Sequence, residues 1–229
     1  TRVDAVLGCT AITQEICSCL YLVSVFSGLS QRALQPWLLL SVTALYAVLG
    51  YCRNKPGLSV VQMSVLSVVL CGALCSVVQS LTASVATDTV YACTTLLLLL
   101  HVALHDYGHE AIIANETLSH NVGVFACVCL ASRLTEYWQV FAFTVTTIAV
   151  FARHDSKELG QSAAATVLET VAVLCVTVAA VLMFVPALLP LLCLGVSVAN
   201  VALPLLYVHL QCHRQSIYGP WDEAHIESR

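Results

Sequence analysis

Asp88-TVYACTTLLLLLHVALH-Asp106 places two carboxylates at the ends of a run that holds no other carboxylate, lysine or arginine. Wound as an α-helix at about 1.5 Å per residue, the 18 steps between the two aspartates cover about 27 Å. That is close to the ~30 Å hydrocarbon core of a bilayer. Each carboxylate can then sit at an interface while the run between them crosses lipid. The rest of the chain reads the same way. Of 229 residues, 59% are hydrophobic and 10% charged, and the mean hydropathy is +0.88. Soluble domains carry about 25% charged residues, so most of this surface faces something other than water. A net charge of −4 spread over so long a chain gives no basic patch and argues against nucleic acid as a partner.

Working outward, the polar breaks cut the chain into eight candidate spans: 5–28, 34–52, 58–80, 88–106, 117–134, 136–153, 163–184 and 186–211. The fifth and sixth are short, and Pro186 marks the only break between the last two, so seven is the other count these breaks allow. The expected fold class is all-α: a polytopic transmembrane helical bundle of about eight spans over 1–211, with a C-terminal tail over 212–229. Lys and Arg favour the cytosolic side. With eight spans and a cytosolic start, Arg2, Arg53, Lys55, Arg153, Lys157, Arg214 and Arg229 fall in the cytosol, and only Arg32 and Arg133 in the lumen. Both termini, and the tail with them, are then cytosolic. Asn115-Glu116-Thr117 is an N-glycosylation acceptor sequence, but it falls on the cytosolic side and reads as a chance match. Thr1 to Asp4 lead straight into an apolar segment, without the pattern of a cleavable signal peptide.

Polar residues inside apolar runs are the candidates for function. Gln14 and Glu15 lie about ten residues into the first span, near the bilayer midplane, where an ionisable side chain is a functional hypothesis by default. The alternative is a protonated Glu15 hydrogen-bonded to a neighbouring helix. Thr87 or Asp88 is expected to cap the fourth helix. His101, His105 and His109 recur every four residues, with His120 and His154 as further neighbours. Histidines at i, i+4 can bind zinc, but a catalytic site needs a clear third ligand and a base, so no metal site is expected. In span five, Gly123, Ala126 and Ala131 let another helix approach, and Arg133 reads as an end anchor that snorkels. The 12 Cys lie mostly in apolar runs, as small hydrophobes. The loops are short for the α/β domain that a nucleotide-sugar transferase uses.

Four blocks carry a more specific signal: Ser84-VATDTVY-Ala92, His105-Asp106-Tyr107-Gly108, Thr117-LSHNVGVFACVCLASR-Leu134, and Gly219-Pro220-Trp221-Asp222-Glu223-Ala224. In this order and spacing they resemble the PIG-C family, whose members belong to the phosphatidylinositol N-acetylglucosaminyltransferase complex. The resemblance implies a multi-pass subunit of the endoplasmic-reticulum membrane. It further implies a non-catalytic role in transferring N-acetylglucosamine from UDP-GlcNAc to phosphatidylinositol, the first step of GPI-anchor biosynthesis. Catalysis is expected in a partner glycosyltransferase, and no cofactor is expected in this chain. Expected partners are the other subunits and membrane lipid, including phosphatidylinositol. Asp106, Tyr107, Gly219, Pro220, Trp221, Asp222 and Glu223 become the expected lipid or partner contacts on the cytosolic side. Gln14 fits the family's polar amides here, whereas Glu15 departs from them. Of the histidine stripe, only His101 matches the family pattern. Relatives also carry a polar segment ahead of the first span, so this sequence is expected to be a truncated or ordered part. Two other classes fit the residues: a small-molecule or lipid transporter with Gln14 and Glu15 lining its path, and a lipid-modifying enzyme with converging histidines.

Overall fold

The structure, a computed structural model, describes residues 2–54, 57–82, 84–105, 107, 116–152 and 163–211. Among them the chain is helical and forms no strand. The helices are α1 (Arg2–Ser30), α2 (Pro36–Asn54), α3 (Leu58–Leu81), α4 (Thr87–Leu104), α5 (Glu116–Ala131), α6 (Tyr137–Ala152) and α7 (Ala163–Phe184). A 3₁₀ turn (Pro186–Leu188), α8 (Leu189–Ser197), a π turn (Val198–Ala202) and α9 (Leu203–Gln211) follow as one interrupted rod. Among the described residues five stretches are long and apolar enough to cross a membrane: Cys9–Ser30, Val61–Leu81, Thr87–Leu104, Ala165–Phe184 and Pro186–Leu206. Pro36–Cys52, Thr117–Ala131 and Tyr137–Ala152 are apolar but shorter.

The last apolar stretch, expected as one span over 186–211, carries the π turn within its helical rod. Pro204 explains the π turn: it has no N–H to give the carbonyl of Asn200, and its ring crowds that turn.

α1 is the axis of the bundle. Its apolar window is 67% buried, against 6% for that of α3. It packs on α7 and the α8–α9 rod on one side, and on α4, α5 and α6 on the other, while α2 and α3 lean on the outside of α6. The largest core cluster joins Leu22, Val25, Phe26 and Leu29 of α1 to Cys127 and Leu130 of α5 and Val140 and Phe143 of α6. Phe26 meets Phe143 edge to face at 6.1 Å. Helices in lipid have no hydrophobic effect to hold them together, so close packing and polar cross-links must do so. Gly28 shows how close: a Cβ there would stand 2.9 Å from the Phe184 ring of α7. Outside this core, Leu45, Val48 and Leu49 of α2 and Met63, Leu66 and Val69 of α3 are exposed, a surface suited to lipid.

The connections after α1, α3, α5 and α7 gather at one end. Arg32 pairs with Glu136 at 3.0 Å. Arg133 donates to the Thr82 carbonyl at 2.7 Å, the Thr82 hydroxyl at 2.9 Å and the Val85 carbonyl at 2.9 Å. It therefore ties the α3–α4 connection down. Arg32 has φ 57°, and both Ala33 and Leu34 donate back to the Gly28 carbonyl, which closes α1 with a left-handed cap. The expected cap of α4 is also corrected. Its N-cap is Ala86 with no side-chain cap bond, and Asp88 lies inside the first turn, where its charge still favours the helix N-terminus. The described cysteines are free thiols.

Candidate functional site

Successive residues of a helix point about 100° apart, and α1 uses three in a row to reach three neighbours. The Thr13 hydroxyl accepts from Asn200 Nδ2 of the π turn at 2.8 Å. Gln14 Nε2 donates to Thr170 Oγ1 of α7. Glu15 Oε2 meets His101 Nε2 of α4 at 3.0 Å. One turn further on, the Cys17 carbonyl accepts from Thr177 of α7 at 3.3 Å. All four α1 residues are buried, so one polar layer fastens the axis to its surroundings at mid-helix.

The Glu15 branch is the most elaborate. His101 is fully buried, and its Nδ1 lies 2.8 Å from the backbone carbonyl of Ser119 and 2.8 Å from the Ser119 hydroxyl. Ser119 Oγ donates its own proton to the His101 backbone carbonyl at 2.8 Å. Both oxygens facing Nδ1 are therefore acceptors, which fixes a proton on Nδ1. A neutral ring then shows a bare Nε2 to Glu15, so the 3.0 Å contact needs one proton between the two groups. The pair is either an acid with a neutral imidazole or a carboxylate with an imidazolium. Its net charge is zero in both cases, as a low-dielectric interior demands.

The local sequence explains how the ring fits. Gly123 lies one turn after Ser119 on α5, and a Cβ there would stand 2.9 Å from Phe151 Cζ and 3.1 Å from His101 Nδ1. Only glycine leaves room for both rings. Phe151 of α6 closes the cluster edge-on to His101 at 5.1 Å.

The other histidines lie beside it. His105 is 5.9 Å from His101 and 5.7 Å from His120, ring to ring. Tyr107 stacks edge-on to His105 at 5.1 Å and donates to the Val102 carbonyl at 2.6 Å. Burial, with Glu15 nearby, pushes the Tyr107 phenol well up, so it stays a hydrogen-bond donor. His105 is buried, while His120 and Tyr107 are half-buried. The cluster thus runs from the middle of α1 toward the end of the bundle where α4 stops. No group of three His, Cys, Asp or Glu among the described residues is arranged to hold a metal ion.

Of the sequence-derived candidates, Gln14, Glu15 and Tyr107 fall in this region. Gln14 and Glu15 are buried and bonded to other helices, which is the helix-linking alternative for Glu15. Asp106, Gly219, Pro220, Trp221, Asp222 and Glu223 lie outside the described residues, as do His109, Asn115 and His154. Sequence reasoning missed the partners, Ser119 for His101 and Asn200 for Thr13. The signals available were the i, i+4 histidines and the isolated amide in an apolar run.

The chain matches the GPI2 family, described as phosphatidylinositol N-acetylglucosaminyltransferase, over residues 1–222. Among curated proteins it is similar to a Homo sapiens subunit of phosphatidylinositol N-acetylglucosaminyltransferase, 28% identical over 237 residues, covering 95% of this chain and 79% of the relative. A Dictyostelium discoideum relative is 31% identical over 242 residues, covering 98% of this chain and 69% of its own. The GPI2 subunit of the Schizosaccharomyces pombe enzyme is 26% identical over 238 residues, covering 93% and 72%. No solved structure matches. With its described residues helical, its helices long and apolar, and its sequence matched over residues 1–222, this chain belongs to the phosphatidylinositol N-acetylglucosaminyltransferase GPI2 family.

Proposed function

We propose that this chain is a non-catalytic, multi-pass subunit of the complex that makes N-acetylglucosaminyl-phosphatidylinositol in the endoplasmic-reticulum membrane, the first step of GPI-anchor biosynthesis. The observation that carries the reading is the family match over residues 1–222. Its relatives are named as subunits of that transferase. In this reading the bundle is a scaffold. The polar layer at Thr13–Glu15 and the Glu15–His101–Ser119 cluster hold α1, α4, α5 and α7 in one arrangement. Both nitrogens of the fully buried His101 are engaged within the protein, which favours a cross-linking role over a reactive one.

The reading extends to topology. Eight crossings with both ends in the cytosol would bring the connections after α1, α3, α5 and α7 to the lumenal side, and these are the ones joined by Arg32–Glu136, Arg133–Thr82 and the Gly28–Phe184 contact. The opposite, cytosolic end then carries Asp106 and Tyr107 and the 219–223 tail, Gly219, Pro220, Trp221, Asp222 and Glu223. There they contact partner subunits or the phosphatidylinositol acceptor.

The test is purification of the tagged chain from membranes in mild detergent, identification of what accompanies it, and assay of the eluate for N-acetylglucosaminyl-phosphatidylinositol. A multi-subunit assembly with that activity, lost when the chain is stripped of its partners, is the expected result. A monomer or homo-oligomer without transferase would overturn the proposal.

A further inference from the structure

The apolar stretch Pro186–Leu206 is long enough to cross a membrane and contains a single side-chain amide, Asn200. Asn200 sits midway along the α8–α9 rod, level with Thr13 near the middle of α1, and it is exposed on the outer surface. Its Nδ2 is satisfied, donating to Thr13 Oγ1 at 2.8 Å and to the Val196 carbonyl at 2.9 Å. Its Oδ1 meets no donor among the described residues. Pro204 leaves the backbone carbonyl of the same residue without its usual α-helical donor. The amide oxygen of this exposed residue therefore lies at the depth where lipid offers neither water nor a donor, and where an unmet polar group is costly. Cys193 and Ser197 are exposed two turns and one turn before Asn200 on the same rod. Side chains this small let a second backbone approach. π turns recur at functional positions for the same reason: they redirect backbone and side-chain groups out of the helix.

We infer that a membrane-spanning helix of a partner subunit seats on this face and donates a side-chain hydrogen bond to Asn200. Acyl chains cannot donate, and lipid headgroups do not reach this depth. The inference rests on the subunit reading above, which supplies a partner with membrane helices, and it assigns the surface through which that partner binds.

The test uses the intact complex. A photo-reactive amino acid at Val201 or Ser197, both exposed within one turn of Asn200, is irradiated in the membrane before purification. A covalent peptide from the membrane-spanning segment of another subunit is expected. Adducts with lipid alone, or with a second copy of this chain, would overturn the inference. In parallel, Asn200→Leu is expected to lower recovery of that subunit about threefold, the worth of one interhelical hydrogen bond. Thr13→Val removes only the internal bond and is expected to leave recovery unchanged. Equal loss in the two variants, or none in Asn200→Leu, would also overturn it. Transferase activity in the wild-type eluate tests the subunit reading separately.

Discussion

Replacing Gly123 with alanine should damage the centre of the bundle more than its single methyl group suggests. A Cβ at this position would lie 2.9 Å from Phe151 Cζ and 3.1 Å from His101 Nδ1. Carbon pairs rest at about 3.5–4.0 Å, so one ring must retreat by about 0.6 Å. His101 cannot do so freely, because Ser119 holds one nitrogen and Glu15 the other. Overpacking of this kind costs about 1–3 kcal/mol. Alanine also gains about 0.8–1.0 kcal/mol over glycine from helix propensity alone, so the loss must be read against a matched control. Gly50 of α2 supplies one, since a Cβ there meets nothing within 4 Å. Gly50→Ala should therefore be neutral or stabilising, and Gly123→Ala should fall below it by about 1–3 kcal/mol. At about 2–4 °C per kcal/mol for chains of this size, the two variants should separate by about 2–12 °C in thermal unfolding of the detergent-solubilised complex. Adding Phe151→Leu to Gly123→Ala should recover part of the difference. Equal shifts for Gly50→Ala and Gly123→Ala would refute the packing argument around His101.

The proton shared by Glu15 and His101 predicts that Glu15→Gln is tolerated, because an amide N–H can fill the same place. Glu15→Ala, which leaves Nε2 bare in the core, should cost about 1–3 kcal/mol, and equal damage from both variants in the same unfolding assay would sink the assignment. Arg32 holds a left-handed backbone for which glycine is better suited, yet pairs with Glu136 on an exposed surface. Surface pairs contribute about 0–1 kcal/mol and a left-handed non-glycine residue costs about 1–2 kcal/mol, so Arg32→Gly should be neutral or stabilising, and a net loss in denaturation would mean the pair does more than close the end. Asp106→Ala and Trp221→Ala are expected to reduce recovery of the complex or its product while leaving membrane insertion intact. Unchanged assembly and unchanged product formation would remove both residues from the proposed contact surface.

Much of the fold could be read because lipid imposes simple rules on composition. Runs of apolar residues broken at Arg53, Lys55 and Pro56, or at Arg133 to Glu136, are visible without knowing what they pack against. The arrangement of the helices was not legible, since helices apolar on every side give no amphipathic stripe to say which face is inward. Thr10, Thr13, Gln14, Glu15 and Ser18 are the exception: five polar residues so close together mark α1 as a helix with polar neighbours. Their partners lie far along the chain, His101 at 86 residues and Asn200 at 187. Distances of that kind leave no local trace. The α4 cap was misread because Asp88 suits an N-cap by type, while Val85 bonds back to Thr82 and starts the helix at Ala86.

The central position of α1 also has a consequence for how the chain is made. If the helices enter the membrane in order, Thr13, Gln14 and Glu15 arrive first and find none of their partners. Glu15 waits for His101 and Ser119, Gln14 for Thr170, and Thr13 for Asn200, 187 residues later. At about 5–20 residues per second, the last interval takes about 10–40 s. The carboxyl is uncovered for the first 86 residues of it and the amide for the first 156. The polar layer of α1 is thus completed only when the seventh and eighth segments emerge. Variants that leave the finished bundle sound could still fail during that wait.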